Sequence, residues 1–258
     1  MQFGLKLGTT DKNYTEDILS FYKSEYFQYI ELFAVPYTFN DTIDYWKQFK
    51  IPFVIHAPHS AAGMNLSSIE DRKKNKLILQ ETFKFADSLK AEFIIFHSGV
   101  NGDIDESIYQ LRPFIDTRCL IENKPKKGLN GEKCLGSTPD EIKYILSELN
   151  AGFCLDFGHA ICAANTLKKE PLEFIKEFFE FNPKIYHLTD GDYFLETDSH
   201  VHYGKGTFPL KELIKMIPPE GKVTNEAKHD SDSNLNDFKD SLFYLNTIFQ
   251  EINNVRKY

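Results

Sequence analysis

The chain has 258 residues, 41% of them hydrophobic, with 23 Phe, and sets 30 Lys and Arg against 38 Asp and Glu. That composition excludes a disordered or fibrous chain, and the formal net charge of −8 argues against a surface given over to a polyanion, whose phosphates call for Lys and Arg. No run approaches the ~18 consecutive apolar residues of a spanning helix, so a cytoplasmic protein with no membrane partner is expected.

Taken in chain order, short β-rich runs alternate with amphipathic helical patterns. The runs are FGLKLG (3 to 8), YIELFA (29 to 34), FVIHAP (53 to 58), FIIFHSG (93 to 99), CLIENKP (119 to 125), FCLDFGHA (153 to 160), IYHLTDG (185 to 191) and KVTNEAK (222 to 228). Between them lie TEDILSFYKS, NKLILQETFKFADSLK, TPDEIKYILSELN and PLEFIKEFFEF, each with apolar residues at helical spacing. Ser137-Thr138-Pro139 supplies a helix start, a capping hydroxyl followed by proline at the first helical position. Strand alternating with helix eight times predicts one α/β domain over 1–258, a single (β/α)8 TIM barrel. The four cysteines, Cys119, Cys134, Cys154 and Cys162, form no C-x-x-C pair and are expected as reduced thiols.

The third to eighth runs each carry a metal-ligand type toward the C-terminal side: His56, His97, Glu122, Asp156 with His159, His187 and Glu226. Barrels of this architecture build their active sites at that end of the strands. The stretch DSHVHYGKG follows the seventh run and sets Asp198, His200 and His202 at alternate positions, which in an extended segment point to one side. Gly204-Lys205-Gly206 lacks the flanking strand and helix of a phosphate loop and reads as a turn. Imidazoles mixed with carboxylates and no thiolates suit zinc, manganese or iron rather than calcium. Carboxylates can bridge ions, so a cluster of two or three is reasonable, and such clusters clamp the attacking and leaving oxygens of a phosphoryl displacement.

The motifs HAP with Asn65-Leu66, HSG (97 to 99), Glu122-Asn123, C-x-D-x-x-H-A (154 to 160), H-L-x-D (187 to 190), D-x-H-x-x-x-G-x-G (198 to 206) and the late Glu226 resemble those of the endonuclease IV family of apurinic/apyrimidinic endonucleases. That family lies within the xylose isomerase-like barrel superfamily, which also holds sugar isomerases and epimerases. The resemblance runs from about residue 3 to 228 and fills all nine ligand positions. It implies a first zinc on His56, His97 and Glu122, a second on Glu122, Asp156, His187 and Glu226, and a third on His159, Asp198 and His200. Glu122, Glu226 and His159 would stand at the reacting centre, and the substrate would be DNA with abasic sites, cleaved by a monomer carrying two or three Zn2+. Mn2+ or another divalent ion is the alternative metal.

The loops that grip DNA in that family differ here. His59 replaces an aromatic residue, AVPYTFND (34 to 41) holds no Arg, and KPKKGLNGEK follows Asn123. Lys124, Lys126 and Lys127 in that last loop are candidate substrate contacts, as are His59 and His202. Several motifs are shared with sugar or sugar-phosphate isomerases and epimerases. In those, one divalent ion on Glu122, Asp156, His187 and Glu226 suffices, with Glu122 and Glu226 also moving the proton.

Overall fold

In the computed structural model, which describes residues 1–255, eight parallel strands close into a barrel in chain order: β1 (Gln2–Gly8), β2 (Tyr29–Phe33), β3 (Phe53–His56), β4 (Phe93–His97), β5 (Cys119–Glu122), β6 (Gly152–Asp156), β7 (Ile185–Leu188) and β8 (Lys222–Asn225). Around them run α1 (Thr15–Lys23), α2 (Phe39–Lys47), α3 (Arg72–Leu89), α4 (Ile104–Leu111), α5 (Pro139–Leu149), α6 (Phe157–Leu167), α7 (Pro171–Phe178), α8 (Leu210–Met216) and α9 (Asn236–Val255). The expected (β/α)8 barrel is therefore found. Among the described residues no helix is long and apolar enough to cross a membrane, and all four cysteines are buried and free.

Strand alternation sorts the side chains. One set, including Leu5, Leu7, Ile30, Leu32, Ile55, Ile94, Phe96, Ile121, Phe153, Leu155 and Val223, packs outward against the helices. The other set fills the barrel with a layer of Tyr29, Val54, Ile95, Leu120, Cys154 and Ile185. Gly4 is required there, because a Cβ would sit 2.4 Å from the Tyr29 ring. The Tyr29 hydroxyl is hydrogen-bonded to Thr224 Oγ1 at 2.9 Å, which satisfies its polar tip inside the barrel. At the next inward position, two residues further along each of these strands, the filling turns from apolar to ionisable.

The helix start at residues 137 to 139 is as expected: Pro139 opens α5, and the Thr138 side chain accepts from Glu141 N at 3.2 Å. The sixth run differs from expectation. Its strand ends at Asp156, and residues 157–160 form the first turn of α6. The cause is Asp156 itself, whose carboxylate accepts from His159 N at 2.6 Å and caps the helix.

Candidate metal centre

Parallel register sets ionisable residues side by side at the barrel mouth: Lys6 opposite Glu31, His97 opposite Glu122, and Asp156 opposite His187. Adjacent strands lie about 4.8 Å apart, so neighbouring inward side chains must touch. Among the described residues five groups have ligand atoms within 4.8 Å of one another. Two of them bring in Glu31 (with His56, His187 and Glu226) and Cys154 (with Glu122 and His187), a thiol not expected here from the sequence, and the other three hold the nine expected residues. In the first, His56 Nε2 and His97 Nε2 stand 3.1 and 2.9 Å from Glu122 Oε2. In the second, His187 Nδ1 is 3.0 Å from Glu226 Oε1, 3.5 Å from Glu122 Oε2 and 3.9 Å from Asp156 Oδ2. In the third, Asp198 Oδ2 lies 3.3 Å from His200 Nε2 and 3.8 Å from His159 Nε2. All nine ligand-type residues expected from the sequence converge, and Glu122 belongs to two of these three groups.

Three of the five imidazoles are oriented by a hydrogen bond from one ring nitrogen. His56 Nδ1 donates to the Ala57 carbonyl at 2.8 Å, His159 Nδ1 to the Asn123 carbonyl at 2.9 Å, and His187 Nε2 to Glu31 Oε2 at 3.0 Å. In each ring the other nitrogen faces the site and offers a lone pair when the ring is neutral, the arrangement a metal ligand needs. Glu31 is itself fixed by Thr224 Oγ1, which donates to it at 2.6 Å.

Electrostatics and orphaned atoms agree on what fits. Burial and then the Lys6 charge push His56 below the ordinary histidine range, and burial pushes His97 well below it. Burial also raises the Asp156 carboxyl. His187 is the opposite case: burial lowers it, but Cys154, Glu31 and Glu122 together carry it well above. Burial alone would raise Glu122, yet the charges of His97 and His187, with the His159 and His187 nitrogens close by, hold it well below the usual carboxylate range. Glu31, Glu122, Asp156, Asp198 and Glu226 crowd this mouth, and among the described residues Lys6 is the one lysine whose ammonium pairs with any of them. His97 Nδ1, Glu122 Oε1, His187 Nδ1, Asp198 Oδ2 and His200 Nδ1 are buried without a hydrogen-bond partner. Unpaired buried acceptors and surplus negative charge are both relieved by divalent cations, so the donor set fits them.

The substrate-facing candidates divide. His59 lines the cavity and stacks on His97, with ring centroids 5.3 Å apart and planes at 19°. Burial, then the Lys124 charge, lowers its pKa to about 3, so it is neutral at ordinary pH. Lys124 and Lys127 also line the cavity. Lys126 is turned aside, with its ammonium 3.1 Å from Glu141 on α5.

His202 is turned aside as well, 3.0 Å from Asp230. The expected convergence of 198, 200 and 202 thus holds for two of the three. His200 has φ +46°, so the segment is not extended and the alternation breaks at that residue. The Gly204-Lys205-Gly206 turn is real. Its backbone is pinned by Asp190, which accepts from the N–H groups of Gly191, Gly204, Gly206 and Phe208 at 2.8 to 3.0 Å.

Lys6, Glu31 and Thr224 are site residues that strand-end inspection misses. The signal was present in the period-2 pattern: FGLKLG and YIELF put a Lys and a Glu at inward positions of the first two strands.

A family description, "Xylose isomerase-like TIM barrel", matches residues 27–247. A probable endonuclease 4 of Thermoplasma volcanium is 31% identical over 175 residues, which is 62% of this chain and 61% of that protein, so the match spans about three fifths of the relative's length. Endonuclease IV from Thermus thermophilus superposes with a TM-score of 0.71 at 17% identity, covering 97% of this chain and 100% of that one. A D-tagatose 3-epimerase-like protein superposes equally well, with a TM-score of 0.71 at 21% identity over 98% and 99% of the two chains. At such identities the two structures speak for the fold alone. The endonuclease IV resemblance read from the motifs is nevertheless matched by a relative in sequence and a neighbour in fold, and this chain belongs to the xylose isomerase-like TIM-barrel family.

Proposed function

We propose that this chain is a divalent-metal phosphodiester hydrolase of the endonuclease IV type, with zinc in the three ligand groups and abasic DNA as its substrate. The observation that carries this reading is the third group, His159, Asp198 and His200, opening on the same cavity as the two groups that share Glu122. A single-ion isomerase needs only Glu122, Asp156, His187 and Glu226, and gives the third group nothing to do. Bound divalent ions would act as Lewis acids and offset the charge on the attacking and leaving oxygens of a phosphodiester.

The chain's own residues do the rest. Glu122 holds two ligand groups in one frame. Asp156 caps α6 and so fixes the backbone of His159, whose ring is aimed by the Asn123 carbonyl. Neutral His59 and the lysines at 124 and 127 form one wall, apt for an anionic chain. The cavity, about 260 Å3, admits a single sugar-phosphate unit and not a duplex, so DNA would have to present the reacting nucleotide out of the stack. A nucleotide without a base is the one extruded at least cost.

Elemental analysis of purified protein, alongside incubation with duplex DNA carrying one abasic site and with a panel of ketoses, tests the reading. Three zinc ions per chain and strand cleavage are expected. One bound ion, intact DNA and an epimerised or isomerised ketose would replace this reading with the isomerase one.

A further inference from the structure

Among the described residues, Lys6 is the one lysine whose ammonium pairs directly with carboxylates of the site. It stands on β1 at an inward position, in register with Glu31 on β2, and its ammonium lies 3.3 Å from Glu31 Oε1 and in contact with Glu226 Oε1. Its side chain is 23% exposed and borders the cavity beside His56, Glu122, His200 and Glu226. The two carboxylates are not equivalent partners. Glu226 also belongs to the ligand group of Glu122, Asp156 and His187, so a divalent ion there competes with the ammonium for it. Glu31 also falls in a group with His56, His187 and Glu226, but its Oε2 already accepts from His187 and Thr224, and its Oε1, which has no hydrogen-bond partner, faces Lys6 at 3.3 Å. An ammonium has three donors, and among the described residues this one has a single hydrogen-bond acceptor, Glu226 Oε1, with Glu31 Oε1 an ion-pair partner only.

We propose that Lys6 is a substrate-contacting residue, anchored by Glu31 and aimed into the cavity, where it donates to an anionic phosphate oxygen, and that it shares Glu226 with the cation of the second ligand group. The inference rests on the phosphoester reading above. A purely structural ion pair along the β8–β1–β2 seam would look the same without substrate, so the test has to separate the two roles.

Lys6→Met and Lys6→Gln remove the charge, and Lys6→Arg keeps it. The glutamine variant retains hydrogen-bond donors for the carboxylates should the methionine variant fold poorly. Zinc affinity is measured by chelator competition, and inorganic phosphate binding to the zinc-loaded proteins by calorimetry. The neutral variants are expected to bind phosphate about ten-fold more weakly or worse, as for loss of a charged hydrogen bond, with Lys6→Arg near the wild type. They should also bind zinc several-fold more tightly, because a neighbouring positive charge is gone. Phosphate affinity equal to wild type in both neutral variants would overturn the substrate contact and leave the phosphoester reading standing. Unchanged zinc affinity would overturn the sharing of Glu226. If the zinc-loaded wild type itself bound no phosphate, the phosphoester reading would fail and the Lys6 contact with it.

Discussion

Glu122 shows how much can hang on one buried carboxylate. It is fully buried on β5, its Oε2 meets His56 and His97, and it lies within reach of His159 and His187. Glu122→Gln keeps the shape and removes the charge, so both ligand groups that share it should lose affinity together, each by more than about ten-fold, in a zinc titration. Loss of one ion with the other untouched would show that the residue is not common to both. A second residue-scale prediction concerns pH. His229 donates from Nδ1 to Asp237 at 2.8 Å and from Nε2 to the Lys6 carbonyl at 3.0 Å, two acceptors that suit an imidazolium. Burial lowers its pKa, but the Asp237 hydrogen bond and the Lys6 carbonyl outweigh that and raise it. A raised folded pKa stabilises fully below the unfolded value of about 6.5, and the contribution fades as pH climbs through the folded value. The Tm gap between wild type and His229→Gln should therefore be widest near about pH 6 and shrink toward about pH 9; a gap that widens with pH would mean a neutral ring. The nine ligand types were legible because each sits at a strand end or in the segment that follows one, His159 in the first turn of α6. Lys6 and Glu31 sit mid-run, and only the alternation of β1 and β2 marks them as inward.

At the scale of elements, the segment between β7 and α8 decides whether the third ligand group exists. It carries Asp198 and His200, and its return is tied to the four backbone N–H groups that Asp190 accepts. Gly206 is indispensable to that tie, since a Cβ would stand 2.4 Å from both Asp190 Oδ1 and the Gly191 carbonyl. Gly206→Ala should displace the segment at a cost of about 1–3 kcal/mol. Metal content should drop by the ion of His159, Asp198 and His200 alone, with the barrel's circular dichroism unchanged. Retention of the full metal content would show that the segment tolerates the methyl group. From the sequence the turn was readable in its glycines, but the divergence of His202 was not. Alternation presumes an extended backbone, and the left-handed conformation of His200 is set by tertiary contacts. The start of α6 was hidden for a related reason: FCLDFGHA is apolar enough to read as one strand, and the cap at Asp156 cuts it in two.

For the molecule as a whole, a net charge of −8 sets the terms on which any DNA is bound. Lys124 and Lys127 line the cavity, while the Lys126 ammonium is engaged by Glu141. If DNA phosphates meet the first two, replacing both with Ala should flatten the slope of log affinity against log salt by up to ~1.8, and Lys126→Ala alone should leave it as it was. An unchanged slope in the double variant would remove the 124–133 loop from the DNA contacts. The sequence by itself determined the barrel and the nine His, Asp and Glu that gather at its mouth. Those follow from local periodicity and from the rule that strands of such a barrel carry their chemistry at one end. Only the tertiary structure decided which lysines face the cavity, that His202 leaves the site, and that Lys6 and Glu31 enter it. These outcomes depend on contacts between residues as distant as Lys6 and Glu226, whose meeting is fixed by the closure of β8 onto β1 and leaves no trace in the neighbouring sequence.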